Sequence, residues 1–176
     1  MSTRKFLLWA FLELAAVLAV SAAHAEPCTG FTWNVSKELA LFNTAVTAQA
    51  GGKNVASAPL LAVDRLYELA LQPQSNVSLA MKPEKKMLTD GAFAGLVRLQ
   101  INTAGNYRIA IDAPFWIDVV RGGSAIPSQK FQGSADCQAP RKIVEFNLPA
   151  ANDLFIQFSG ATSERVRVTV TQAPAI

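Results

Sequence analysis

Histidine is almost missing from this sequence. The chain has one among 176 residues, His24, and it stands in a segment expected to be removed. Residues 1–25 read as a secretory signal peptide: Arg4 and Lys5, the apolar run Phe6–Val20, then small residues ending in Ala23-His24-Ala25. The apolar run is 15 residues long and is interrupted by Glu13. Spanning a bilayer takes roughly 20. The mature chain is therefore expected to start near Glu26, with no histidine and no transmembrane segment. Zinc sites built on Cys and His, two-histidine iron sites and a serine triad with an imidazole base all lose their essential groups.

Other chemistries lack their motifs. The mature chain has no Gly-x-Ser-x-Gly and no Ser-x-x-Lys, so neither common form of activated serine is present. It has no Gly-x-Gly-x-x-Gly and no P-loop, which leaves nucleotide cofactors without a foothold. No cofactor and no metal are expected. Positive charge is also scarce. Removing Arg4, Lys5 and Glu13 leaves 14 basic and 12 acidic residues, a balance of +2 with no basic run. Nucleic acid is not an expected partner. Cysteine is limited to Cys28 and Cys137. In an oxidising compartment the pair reads as one disulfide joining the mature N-terminus to a late loop. A redox-active pair is the alternative, without a Cys-x-x-Cys to support it.

The remaining 151 residues are enough for one domain with a proper core. Near the start, Lys37-Glu38-Leu39-Ala40-Leu41-Phe42 predicts a short helix over about 35–42. Asn34 or Ser36 is its candidate cap, and Trp33 can staple its start. Leu66–Leu71 is expected to be a strand. From there period-two alternation dominates: Val77/Leu79/Met81, Val97/Leu99/Ile101, Tyr107/Ile109/Ile111 and Phe115/Ile117/Val119. It continues through Val144/Phe146/Leu148, Leu154/Ile156/Phe158 and Val166/Val168/Val170. With Gly, Pro, Asn and Asp between the runs, this predicts a mainly β fold, an antiparallel, jelly-roll-like β-sandwich. Each sheet should have one apolar face and one wet face.

The segment Phe115-Trp116-Ile117-Asp118-Val119-Val120 carries the best candidate site. With Phe115, Ile117 and Val119 in the core, Trp116 and Asp118 point outward. An indole beside a carboxylate can stack on a sugar or another flat ligand while accepting its hydrogen bonds. The alternative is that Trp116 packs under the N-terminal helix. Arg98 and Arg108 on neighbouring strands are candidate partners for Asp112 or Asp118, and complete the candidate ligand-binding set. Asp90, Asp112, Asp118, Asp136 and Asp153 stand near predicted turns. A close pair could serve glycoside hydrolysis or calcium, but turn chemistry explains them as well. Lys82-Pro83-Glu84-Lys85-Lys86 reads as a solvated basic hairpin tip.

The segments Cys28–Trp33, Asp90–Leu96, Phe115–Val120 and Lys142–Phe146 resemble a group of small exported bacterial β-sandwich proteins, largely uncharacterised. Some of these carry a homogentisate 1,2-dioxygenase label. That activity implies iron held by histidines and a glutamate, and no position of the mature chain matches those histidines. The hairpin Tyr107–Gly123 also resembles secreted jelly-roll and pre-peptidase C-terminal type domains. Together these readings lead to an expectation of a periplasmic or secreted binding or envelope-interaction module. Its partner would be a small molecule, a glycan or an envelope protein. The alternatives are an enzyme, either a dioxygenase or a carboxylate-based hydrolase, and a structural subunit of an envelope complex.

Overall fold

A computed structural model describes Cys28 and residues 30–85 and 91–174. The expected signal peptide lies outside the described residues, as do Lys86 and Asp90. One helix, α1 (Ser36–Phe42), precedes the strands. The early strands are β1 (Thr47–Ala50), β2 (Leu60–Leu61), β3 (Leu66–Ala70) and β4 (Gln72–Pro73). The long central ones are β5 (Phe93–Ile101), β6 (Gly105–Ile111) and β7 (Trp116–Arg121). They are followed by β8 (Ser124–Ile126), β9 (Ser128–Gly133), β10 (Lys142–Leu148), β11 (Ala151–Ala161) and β12 (Arg165–Gln172).

The predicted mainly β class is what forms. The first sheet runs β1-β3-β12-β6-β10-β9, and the second runs β2-β5-β11-β7-β8 with β4 added beside β5. Both sheets are mixed, because β1 lies parallel to β3 and β2 parallel to β5. The other pairings are antiparallel. The alternating residues read from the sequence supply the core between the sheets. Leu69, Ile109, Val144 and Val168 come from the first sheet, and Val97, Val119, Ile156 and Phe158 from the second. The β7–β8 hairpin closes on Gly122 and Gly123, whose φ values of 55° and 76° suit a two-residue turn that side chains with a Cβ resist.

Three expectations fail. Val77, Leu79 and Met81 do not form a strand: the segment leaves the sheets and crosses the outer face of the second one. Val77 and Ser78 bond to the Gln74 and Lys53 carbonyls, and at the far end Gln157 accepts from the Met81 N–H at 3.2 Å and donates to its carbonyl at 3.1 Å. Neither sheet keeps a fully wet outer face. Helix α1 covers part of the first, where Val35 and Phe42 bury Leu66, Ala110 and Ile143. The helix cap also differs. Val35 occupies that position without a side-chain bond, while the Asn34 side-chain amide oxygen, Oδ1, accepts from the Ser36 N–H at 3.1 Å.

Helix burial brings charge with it. Glu38 is buried and accepts a hydrogen bond from Thr171 at 2.7 Å. Arg108 lies beneath the helix start, 6% exposed. It pairs with Glu145 at 3.0 Å and Glu38 at 3.8 Å, donates to the Asn34 carbonyl at 2.8 Å, and stacks 4.9 Å from the Trp33 ring centre. Breaking a buried pair strands the remaining charge. Glu145→Gln should therefore cost about 3 kcal/mol in urea unfolding. Asp153→Asn, which breaks the exposed Arg121–Asp153 pair, should cost under about 1 kcal/mol. Equal losses for the two variants would contradict this description of the network.

Candidate functional site

The chain leaves the second sheet after β8 and enters the first as β9, with only Pro127 between them. Strand β8 therefore pairs with β7 only at Val119–Arg121. Among the described residues no strand continues alongside Trp116–Asp118 on that edge. The sandwich stays open at this corner, and a cavity of about 270 Å³ occupies it. Trp116, Asp118, Lys85 and Lys142 line its polar side, and Ile126 and Val144 are part of its apolar side. Phe131 stands at the wall and remains 69% exposed.

Trp116 is half-buried and Asp118 is 2% exposed. The indole Nε1–H donates to Asp118 Oδ1 at 2.5 Å, and Gln157 donates to Asp118 Oδ2 at 2.9 Å. Both carboxylate oxygens thus hold protein donors already. Asp118 positions Trp116 and Gln157 and is not an outward acceptor for a sugar hydroxyl. Trp116 does not lie under the N-terminal helix. Helix α1 is on the other sheet, and the chain nearest the indole is the Glu84–Lys85 segment.

Two ammonium groups approach the indole. Lys85 Nζ lies 5.6 Å and Lys142 Nζ 5.4 Å from the ring centre, within cation–π range. The sequence reading treated Lys85 as part of a solvated tip, whereas it reaches this ring. Lys142 donates to the Phe115 carbonyl at 2.9 Å. Burial pushes its ammonium below the usual lysine range, the charge of Lys85 pushes the same way, and Asp118 opposes both. Among the described residues neither lysine has a carboxylate within 4 Å.

The other candidates are placed elsewhere. Arg108 is consumed by Glu145 and Glu38 on the outer face of the first sheet. It pairs with neither Asp112 nor Asp118. Asp112 is taken by Arg167 at 2.8 Å. Arg98 is exposed on β5, separated from β7 by β11, and does not line the cavity. Cys28 and Cys137 are neighbours with free thiols. Burial pushes the Cys28 thiol up to about 11, and the adjoining Cys137 adds to the rise. Among the described residues no three His, Cys, Asp or Glu side chains gather where a metal could bind. The donor set of a histidine–glutamate iron site does not form there.

Lys142 was missed as a site residue, although its signal is present. It alternates with Val144 and Phe146, so strand geometry puts a lysine on the apolar face. Gln157 was missed for a similar reason, as a lone amide on the outer face of β11. No family model, curated protein or solved structure matches this chain.

Proposed function

We propose that the protein is an exported binding module. Its ligand is a small anionic molecule with an apolar ring or short chain, seated in the corner cavity. One observation carries this reading: two ammonium groups with no carboxylate within 4 Å among the described residues share one indole at the mouth of a partly apolar cavity. Cations held near low-dielectric walls attract an anion more strongly than the same cations in water. The Asp118 carboxylate offsets part of that attraction, but its oxygens are turned to Trp116 and Gln157 and form no ion pair with either lysine. Size sets the upper limit. A dry cavity of about 150 Å³ takes benzene, so about 270 Å³ suits one ring with substituents. The earlier idea of a sugar stacked on an exposed Trp116–Asp118 pair has less support, since the carboxylate is occupied and the indole faces are approached by lysines.

Export fits the sequence of the first 25 residues, and in that setting the neighbouring cysteines form a disulfide. Such a bond would close a loop of about 110 residues and stabilise the fold by roughly 4–5 kcal/mol in the chain-entropy model. Intact mass of the protein recovered from a bacterial periplasm reads both points. A start near Glu26 and the loss of two thiol hydrogens are expected. A retained leader would remove the export reading, and two free thiols would remove the disulfide.

Calorimetric titration of the mature protein with cyclohexanecarboxylate and with its uncharged amide tests the binding reading. The acid should bind at least about tenfold more tightly than the amide, and Lys142→Met should abolish that preference. Equal affinity for acid and amide, or no binding of either, would overturn the assignment.

A further inference from the structure

We infer that Lys142 is a reactive amine, and that the cavity captures a small carbonyl compound bearing a carboxylate by forming an imine at Lys142 Nζ. The inference rests on the cavity being the binding site proposed above, and goes further by assigning a covalent step to one side chain.

The geometry sets Lys142 apart from the other lysines. Lys37 and Lys130 are half-exposed and paired with Asp64 and Glu145. Lys142 instead projects from the inner face of β10 beside Val144 and Phe146, into the cavity. Its one hydrogen bond goes to the Phe115 carbonyl, an acceptor that does not require a full positive charge. Among the described residues the charged and titratable groups facing it are few. Lys85 and Glu84 come from the loop before residue 86, Asp118 comes from β7, and the lining residues of β8 and β9 add none. Asp118 is held by two donors, and Glu84 is exposed at the mouth. An apolar wall and a second ammonium are the two features that activate lysine amines elsewhere. Burial and Lys85 both lower the proton affinity of Lys142, which raises the share of neutral amine at a given pH.

The chemistry balances without a redox partner. The nitrogen lone pair forms a C–N bond to the carbonyl carbon, and the carbonyl oxygen takes up a proton. The resulting carbinolamine loses that oxygen as water, and a C=N bond remains. The ligand carboxylate is placed to meet the Lys85 ammonium, which leaves its carbonyl end for Lys142.

Incubation of the mature protein with para-formylbenzoate and sodium cyanoborohydride, followed by peptide mapping, tests this. The reductant converts any imine into a permanent amine. Lys142 should be modified first, about tenfold faster than Lys37 or Lys53. Its rate should fall as the pH is lowered and the amine takes up its proton, and cyclohexanecarboxylate should protect it. Lys142→Arg, which can still donate to the Phe115 carbonyl but cannot form an imine, should fold and lose the fast modification. Modification spread evenly over the lysines, or unchanged in Lys142→Arg, would overturn the inference. If cyclohexanecarboxylate binds but labelling is unselective, the binding site stands and the reactive amine falls. If neither is seen, both fall.

Discussion

The corner cavity depends on one buried carboxylate. Asp118 sits on the outer face of the second sheet, where an unpaired charge would be costly. It is satisfied by an indole N–H on its own strand and an amide on the next. The same amide then spends its remaining groups on Met81, clasping the crossing segment much as a strand would. A single side chain thereby fixes the indole, orders Gln157 and holds down the loop that brings Lys85 over the ring. Asp118 and Gln157 are constrained because neither can turn away without leaving a buried polar group unpaired.

The opposite sheet is organised by a similar rule with different residues. Arg108 is covered by the N-terminal segment and answered by Glu145 and Glu38. Both outer faces are therefore partly dry and partly ionic, and hydrophobic burial is concentrated between the sheets. What separates the two faces is closure. On the first, helix α1 and Trp33 fill the space above the charges. On the second, the short β8 and the crossing at Pro127 leave a gap beside Trp116–Asp118. A site appears where the fold fails to seal its own edge.

Period-two alternation made the core strands legible. Ile109, Val119, Ile156 and Val168 face inward as their spacing requires. The helix was legible from its run of helix formers. Strands β1, β2, β8 and β9 were not. They are too short, or like Ser128-Gln129-Lys130 too polar, to show a period-two pattern, and they exist because neighbouring strands offer them hydrogen bonds. Val77–Met81 erred in the other direction, since its alternation matches a strand while its backbone bonds go to a turn, to Lys53 and to the Gln157 side chain. Of the candidate residues, Trp116 and Asp118 line the cavity, with Asp118 turned to Trp116 and Gln157 and not outward. Arg98 and Arg108 were placed by strand adjacency, which says nothing about which sheet a strand joins. The lysines escaped notice because cavities arise from long-range packing, and only the position of Lys142 on an apolar face hinted at one.

Asp118 is the acceptor that assembles the cavity, and Asp118→Asn tests that role with almost no change in shape. An asparagine has one acceptor and one donor group. Facing both an indole N–H and a Gln157 amide hydrogen, it must set donor against donor, or turn Gln157 away from Met81. Amide hydrogen exchange at Met81, read with the Trp116 indole N–H by NMR, follows both arms at once. At least one of the two protons should exchange faster in Asp118→Asn than in the parent protein, while core amides such as Ile156 keep their protection. Unchanged protection at Met81 and Trp116 would show that Asp118 does not hold the cavity together.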